Sequence, residues 1–308
     1  MLSLLVLSSA FAGDLSLQWS PLRYHAETLL TLPGGYWVVG EGNVEARATQ
    51  IDLSLDMSCQ PEVKKKGWDL TCDVERAAFG GKALSPEKDQ DKLNTALASY
   101  AAELEAATLQ LTVREDGRLT TVDLDGVDQA SKRDAFRAEV LRQLVRRALS
   151  PLDVQLPKGG VDPGKPWNLG GTPLAAELFP ASAPVWVGEG SSAAPMSGGV
   201  SGGLRVPLSV SRREGAVVVI AGDGKGTIST YATDNGSYMS AIALQTETRF
   251  DSAAGQVAYS FVHVSAKDAG ANASVTGVDG YAHTAWVGRI NADGSVEGQE
   301  GPVASTGP

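Results

Sequence analysis

Three histidines are the side chains of this sequence that could act as bases near neutral pH: His25, His263 and His283. His263 lies in a segment that alternates like a β-strand, with Tyr259 and Phe261 on the same face. A histidine in that setting is typically a hydrogen-bonded core residue or an exposed strand residue. Distance along the chain does not exclude a metal site built from all three, but no ligand spacing favours one.

A nucleophilic serine and a phosphate-binding loop each require a particular local sequence. A serine nucleophile requires a sharp turn such as G-x-S-x-G with a partner base, and we expect no such turn in this chain. The serine pair Ser191-Ser192 lies in a Gly/Ser-rich run instead. Residues 222–227 (GDGKGT) lack the G-x-x-x-x-G-K-[ST] spacing and precede a strand pattern, so we interpret them as a hairpin turn. Asp123 and Asp125 alternate like a solvated strand face. We therefore expect no catalytic, cofactor-binding or metal-binding residues, and no enzyme activity.

The densest positive cluster comprises Arg133, Arg137, Arg142, Arg146 and Arg147. On a helical projection Arg142 and Arg146 are adjacent on the polar arc, and they form a candidate contact for an anion or a lipid headgroup. The alternative is that they belong to a solvated helix face in an acidic protein. Arg133 and Arg137 fall within the apolar arc, so we expect them to extend beyond the core or to pair with acids. The formal net charge of −10 argues against nucleic acid as a partner and favours solubility.

The two cysteines, Cys59 and Cys72, are predicted to form a disulfide. Alternation places Cys59 on one face of a strand and Cys72 on the corresponding face of the next strand. If the two cysteines are cross-strand partners, Val63 faces Trp68 and residues 64–67 (KKKG) close the turn. A zinc site is the weaker alternative, because no histidine lies near the pair. The disulfide agrees with an oxidising compartment.

Two helices are predicted in the middle of the chain. Ser85 and Pro86 are typical of an N-cap and a first helical residue, and an apolar stripe follows at Leu93, Leu97, Tyr100 and Leu104. The second helix is predicted from about Asp128 to Ser150-Pro151, with apolar positions at Val140, Leu141, Leu144, Val145, Ala148 and Leu149. Between them, alternating residues around the turn 115–118 (EDGR) predict a hairpin. Because an isolated hairpin is not stable, we expect the sheet to pack on the helices.

Strand patterns occupy the regions on both sides of these helices. We divide the chain into a strand-rich region with two helices (13–187), a Gly/Ser-rich linker or loop (188–203), an antiparallel meander (204–298) and a loose tail (299–308). Residues 15–19 alternate and are predicted as strand. We expect the meander to complete the sheet of the first region. The sequence leaves open whether the Gly/Ser-rich segment separates two domains.

Residues 1–12 (MLSLLVLSSAFA) have the apolar run and the small residues of a signal peptide, which predicts a mature chain that begins at Gly13. The run is short, and no basic residue precedes it. A hydrophobic first strand or helix is the alternative. No apolar stretch approaches the roughly 20 residues of a membrane-spanning helix. We therefore expect a soluble protein that is exported to the periplasm or to the outside of the cell.

Two segments resemble motifs of uncharacterised bacterial secreted families. Leu156-Pro157, Gly164 and Trp167 match a pattern LP…G…W, and residues 250–257 (FDSAAGQV) match a hairpin pattern fD…G.v. Those families are similar to the lipoprotein carriers, whose half-barrel is a curved antiparallel sheet wrapped over helices. The resemblance implies a hydrophobic or lipid-like ligand and brings no catalytic residues. The Gly/Ser-rich insertion between the two motifs departs from the family pattern.

We predict an α+β fold in which a curved, antiparallel, half-barrel-like sheet, built from both ends of the chain, packs on the two central helices. The expected function is that of an exported, non-enzymatic protein of the cell envelope that binds a hydrophobic or lipid-like ligand in its concave sheet. A structural or interaction scaffold with a filled core is the alternative, and an enzyme is the weakest one. The sequence leaves the ligand, any protein partner and the oligomeric state open.

Overall fold

The computed structural model describes residues 15–42, 44–157, 161, 164–169, 185–187, 194–196, 199–232, 236–268 and 281–299. Within these ranges the helices are α1 (Pro86–Ala106) and α2 (Lys132–Ala148), and a 3₁₀ turn follows at Ser150–Leu152. The strands are β1 (Leu22–Val39), β2 (Glu45–Lys64), β3 (Gly67–Ala83), β4 (Thr108–Arg114), β5 (Leu119–Asp125), β6 (Trp167–Leu169), β7 (Val185–Val187), β8 (Ala194–Met196), β9 (Gly199–Glu214), β10 (Val217–Ala232), β11 (Gly236–Asp251), β12 (Gln256–Asp268) and β13 (Tyr281–Arg289). The predicted signal peptide, its cleavage site at Gly13 and residues 300–308 of the predicted tail lie outside the described residues.

One antiparallel sheet contains eleven of these strands, in the order β5-β4-β3-β2-β1-β13-β12-β11-β10-β9-β6. Strands β7 and β8 pair separately with each other. Strands from before and after the helices meet at the middle of the large sheet, where β1 pairs with β2 on one side and with β13 on the other. The fold is therefore a mostly antiparallel sheet with two helices, in agreement with the predicted α+β class.

One face of the large sheet, called the inner face below, packs against the helices. Alternation decides which side chains point there, and on β2 the buried set is Ile51, Leu53, Leu55, Met57 and Cys59. Helix α1 lies on β2 and β3, α2 lies on β1, β5 and β13, and the 3₁₀ turn lies on β12 and β13. The two predicted apolar stripes are confirmed, because every one of their residues is buried: Leu93, Leu97, Tyr100, Leu104, Val140, Leu141, Leu144, Val145, Ala148 and Leu149.

Helix α2 begins at Lys132, later than the predicted start near Asp128. Ser131 is the N-cap, and its hydroxyl accepts the Asp134 amide hydrogen at 3.1 Å while the Asp134 carboxylate accepts the Ser131 amide hydrogen. Upstream, the Asp128 carboxylate accepts the Ala130 amide hydrogen at 2.9 Å. That local bond holds a turn in place of a first helical turn, because a short acidic side chain competes with the helix for backbone donors.

The hairpin turn predicted at residues 222–227 is wrong, because these residues lie inside β10 and pair with β9 and β11. The glycines that suggested a turn instead permit a close approach of β9. A Cβ atom on Gly222 would lie 2.8 Å from the Pro207 carbonyl oxygen, and one on Gly224 would lie 2.5 Å from the Arg205 carbonyl oxygen. Glycine inside a strand thus marks a tight contact between backbones here.

Two other segments differ from the prediction. Residues 15–20 are not strand, although Leu17 and Trp19 are buried, because the Gln18 amide donates to the Gly255 carbonyl oxygen (2.8 Å) at the turn between β11 and β12. In the Gly/Ser-rich segment, residues 194–196 form β8 and residues 199–203 begin β9. Strand pairing uses backbone groups and does not require large side chains. The other residues of that segment lie outside the described part of the chain.

The predicted disulfide and its strand register are confirmed. Cys59 and Cys72 are bonded to each other and are cross-strand partners on β2 and β3. Val63 faces Trp68, and the chain turns between Lys64 and Gly67. Both cysteines are buried, so the bond lies in the core beneath the helices.

Residues 153–157 contact both edge strands of the large sheet. The Asp153 carboxylate accepts the amide hydrogen of Leu119, the first residue of β5, at 3.3 Å. The Gln155 carbonyl oxygen accepts the indole N–H of Trp167, in β6, at 2.9 Å. Gln155 has a φ of 46°, a left-handed conformation that is uncommon for a residue other than glycine. One short segment therefore joins the first and last strands of the sheet order.

Candidate functional site

A small group of buried polar side chains interrupts the apolar inner face where the end of α2 lies over β1 and β13. This polar cluster consists of Arg147 from α2, His283 from β13 and Thr28 from β1, with relative exposures of 2%, 0% and 5%. Placing a guanidinium and an imidazole in an apolar core costs desolvation free energy. Because such groups concentrate at functional sites, the polar cluster is the first candidate for a binding site.

Thr28 contacts the buried ring of His283. The Thr28 hydroxyl oxygen lies 3.0 Å from Nε2 of His283 and 3.2 Å from the Thr284 carbonyl oxygen, both within hydrogen-bond distance. Burial, followed by the charges of Arg147 and His263, lowers the pKa of His283 to about 3, which leaves the ring neutral at physiological pH.

Arg147 is held at the junction of α2 and the 3₁₀ turn. Its Nη1 donates to the Gln143 carbonyl oxygen one turn earlier (3.1 Å), and its own carbonyl oxygen accepts the Ser150 hydroxyl (2.8 Å). The same carbonyl group acts on the His283 ring and partly offsets the fall in its pKa. The polar cluster thus combines a permanent positive charge with a neutral imidazole on a neighbouring strand.

Arg142 and Arg146, the predicted contact for an anion or headgroup, lie half-buried on the polar side of α2. Arg142 donates two hydrogen bonds to the Glu139 carboxylate, at 2.7 and 2.5 Å. Burial of Glu139 opposes its ionisation, but the hydrogen bonds from Arg142 and Gln143 outweigh burial and hold the pKa of this carboxyl below its ordinary value. These contacts explain how Arg142 is held, and anion binding by the pair stays a prediction.

The expectation that Arg133 and Arg137 pair with acids is confirmed. Arg133 lies 3.6 Å from the Glu45 carboxylate on β2. Arg137 contacts the Glu103 carboxylate of α1 at 2.5 Å and lies over the Tyr100 ring. These residues tie the two helices to each other and to the sheet, which is a structural role.

The three histidines do not converge. His25 and His263 lie on the face of the sheet opposite the helices, called the outer face below, whereas His283 lies on the inner face. His25 contacts the Asp56 carboxylate at 2.5 Å and the Glu27 carboxylate at 3.1 Å. Among the residues that the structure describes, no group of three or more His, Cys, Asp or Glu side chains could hold a metal ion.

The outer face carries a groove of about 430 Å³ across β2, β1 and β13, with Glu27, Leu29, Asp52 and Trp286 in its lining. The Trp286 indole N–H donates to Glu27 at 3.0 Å. Burial, together with the negative charge of Glu27, raises the pKa of Asp52. A second groove, of about 370 Å³, crosses β10, β11 and β12 on the same face. The lining of the first groove combines the carboxylates of Glu27 and Asp52 with the apolar side chains of Leu29 and Trp286.

Residues 199–203 (GVSGG) match the G-x-S-x-G spacing, which sequence reasoning missed. They begin β9 and pair with β10, so they do not form the strand-to-helix turn that a nucleophilic serine requires. Sequence reasoning also did not bring Arg147 together with His283 and Thr28. The available signal was the position of Arg147 on a helical projection, at the margin of the apolar arc beside Val140.

No protein-family model matches this chain, and the search of curated proteins finds no match. In the described part of the chain, neither helix is long and apolar enough to cross a membrane. The intramolecular disulfide is compatible with an oxidising compartment outside the cytoplasm. Function therefore has to be inferred from the sites themselves.

Proposed function

We propose that this chain is an exported, non-enzymatic protein of the cell envelope that binds a hydrophobic or lipid-like ligand against the inner face of its sheet. The proposal extends the resemblance to the lipoprotein-carrier half-barrel, in which a curved sheet wraps over helices. It places the protein in the periplasm or outside the cell, where the disulfide between Cys59 and Cys72 would persist. It includes no catalytic step.

The observation that carries the proposal is the pair of contacts made by residues 153–157 at the two sheet edges. Strands β5 and β6 lie ten positions apart in the strand order, about 48 Å in a flat sheet with ~4.8 Å between strands. Leu119 of β5 nevertheless bonds to Asp153, and Trp167 of β6 bonds to Gln155. Residues two apart in sequence are separated by about 7 Å at most. The contacts therefore support a sheet that curls until its edges approach each other at this end.

A second pair of contacts supports the same curvature. The Leu17 side chain lies 2.6 Å from the position that a Cβ atom on Gly117 would take, in the turn between β4 and β5. The Gln18 amide bonds to Gly255, in the turn between β11 and β12. Strands β4 and β11 are six positions apart in the strand order, which is about 29 Å in a flat sheet. The adjacent residues Leu17 and Gln18 nevertheless contact the turns that follow these two strands. A curved sheet accounts for this.

The inner face of the second half of the sheet would supply the apolar surface. Its inward side chains on β9, β11 and β12 are buried and include Leu204, Val206, Leu208, Ile242, Leu244, Val262 and Val264. Helices α1 and α2 lie mainly over the other half and over β13. An acyl chain that covered this surface would be stabilised by about 25 cal/mol for each Å² of apolar area removed from water. A scaffold with a filled core is the second candidate, because the same side chains are already buried within the chain.

Mass spectrometry of an organic extract separates the two candidates. Protein recovered from the native envelope without denaturant should release a lipid-like molecule, whereas a scaffold should release nothing above the level of an unrelated control protein. Leu244→Lys and Gln245→Lys are matched variants, since Leu244 is buried on the inner face and Gln245 is its exposed neighbour. We expect the ligand to be lost from the first variant and retained by the second. Equal retention in both would contradict binding on the inner face.

A further inference from the structure

We infer that residues 153–157, called the clasp below, hold the two edge strands β5 and β6 together, and that release of Trp167 from the clasp opens the inner face at that end of the sheet. The opening would give the ligand its route to the inner face, and this route rests on the proposed function. The opening itself requires no ligand and can be measured without one.

The clasp is anchored on the side of β5. The Asp153 carboxylate accepts the Leu119 amide hydrogen at 3.3 Å. The Leu156 amide donates to the Asp116 carbonyl oxygen, in the turn before β5, at 2.6 Å. Val154 and Leu156 are buried in the hydrophobic core. Hydrogen bonds and apolar burial therefore act together to hold the clasp on this edge strand.

Strand β6 is held less firmly than β5. It pairs with three residues of β9, whereas β5 pairs with six residues of β4. One of the three partners is Pro207, which has no amide hydrogen to donate. The Trp167 indole N–H donates to the Gln155 carbonyl oxygen at 2.9 Å and so links β6 to the clasp. A strand with so short a pairing opens locally at a lower free energy than the middle of the sheet.

The conformation of Gln155 favours release. Its φ of 46° is left-handed, which is unfavourable for a residue that carries a Cβ atom. Gln155 is buried, so the surrounding contacts maintain this conformation against the preference of the residue itself. When Trp167 leaves, Gln155 is free to relax, and this relaxation offsets part of the lost hydrogen bond. The closed state thus depends on the bond between the indole and the clasp.

Release of β6 would expose apolar side chains of the inner face. Leu169 of β6 and its partner Val206 of β9 are buried, as is Leu208, the partner of Trp167. Val206 and Leu208 belong to the apolar surface against which the acyl chain is proposed to lie. An opening at β6 therefore leads directly to that surface.

Hydrogen–deuterium exchange of the full chain, followed by mass spectrometry, measures the opening. Trp167→Phe keeps an aromatic ring and removes the indole N–H, so the amide hydrogens of β6 should exchange about fivefold faster, the factor that one lost hydrogen bond supplies. Trp286→Phe is the matched control, because it removes the indole N–H bond to Glu27 in the middle of the sheet. It should leave exchange in β6 unchanged.

The unaltered chain provides a second test that does not depend on the folding of a variant. If β6 opens locally, low concentrations of urea should scarcely change the exchange rate of its amide hydrogens. Exchange in the middle of β1 should instead accelerate with urea, because it requires unfolding of the whole sheet. The same dependence on urea in β6 and β1 would overturn the local opening.

Uptake of cis-parinaric acid, a fluorescent long-chain acid, by the delipidated full chain tests the route. In stopped-flow measurements Trp167→Phe should bind the probe about fivefold faster than the unaltered chain, and Trp286→Phe should bind it at the unaltered rate. Faster exchange in β6 without faster uptake would overturn the route.

The remaining outcomes separate the clasp from the proposed function. Unchanged exchange in Trp167→Phe would overturn the clasp and leave the proposed function standing. Absence of probe binding, together with an organic extract that contains no lipid, would overturn the proposed function and the route. Faster exchange of β6 in Trp167→Phe would still support the local opening in that case.

Discussion

Lowering the pH from 8 to 5 should destabilise the folded chain through His283. The pKa of this residue is 6.5 in its ordinary state and about 3 in the fold, chiefly because burial disfavours the charged ring. As the pH falls, the unfolded chain therefore binds the proton first. The stability that the neutral ring contributes is fully present above pH 6.5, decreases as the pH falls from 6.5 towards 3, and is absent below that value.

The magnitude follows from the two pKa values. One pKa unit corresponds to about 1.4 kcal/mol, so the full difference between the unfolded and folded states amounts to about 5 kcal/mol below pH 3. Between pH 8 and pH 5 the expected loss is about 2 kcal/mol, because the unfolded residue is almost fully protonated at pH 5 while the folded one is not. His263, whose pKa is also lowered by burial, acts in the same direction.

Urea unfolding followed by circular dichroism at pH 8 and pH 5 measures this loss. His283→Gln removes the titrating group and keeps an amide side chain beside Thr28. The free energy of unfolding of this variant should therefore fall by about 2 kcal/mol less between pH 8 and pH 5 than that of the unaltered chain. His263→Gln is the control at a half-buried, outer-face histidine and should leave most of the pH dependence in place. If His283→Gln is as sensitive to acid as the unaltered chain, a neutral buried imidazole in the fold is refuted.

Three further predictions concern the helix, the disulfide and export. Leu144→Ala should lower the free energy of unfolding by about 2–5 kcal/mol, because Leu144 is buried under the sheet. Arg142→Ala, on the polar side of the same helix, should change it by roughly 0.5 kcal/mol. Equal losses in urea unfolding would mean that the buried face of α2 is misassigned. Reduction of the disulfide between Cys59 and Cys72, which are 13 residues apart, should lower the free energy of unfolding by about 3 kcal/mol and leave a folded chain. Two free thiols in denatured protein from an oxidising compartment would contradict the bond. Protein sequencing from the native envelope should find Gly13 at the N-terminus, and retention of Met1 would exclude cleavage of a signal peptide there.

The repeat spacing of apolar side chains and the residues typical of turns were sufficient to predict local elements of this fold. The stripe around Leu144 predicted the buried face of α2, and alternation around Cys59 predicted both the disulfide and the register of β2 on β3. Each of these features depends on residues that are close in sequence. Their physical cause, a side-chain period of 3.6 or 2, is fully present in a short window.

Features that depend on distant residues could not be predicted in the same way. The glycines at 222 and 224 resemble turn residues until the Pro207 and Arg205 carbonyl groups of the neighbouring strand are placed beside them. The polar cluster could not be predicted for the same reason, since Arg147 and His283 become neighbours only through the packing of α2 on β13. Hydrophobic periodicity within a segment identifies the face on which a side chain lies. It carries no information about which strand or helix will pack on that face.

The pairing of β1 with β13 constrains the order in which the chain can fold. Thr28 and Thr284 are in contact although 256 residues separate them in sequence. Until β13 is available, β1 is an open edge in the middle of the future sheet, and such an edge pairs readily with other chains. Contacts of this separation make folding slow. With the proposed export, the edge of β1 that pairs with β13 would stay open throughout transit across the membrane. We expect such a chain to need protection from aggregation until the last described strand has emerged.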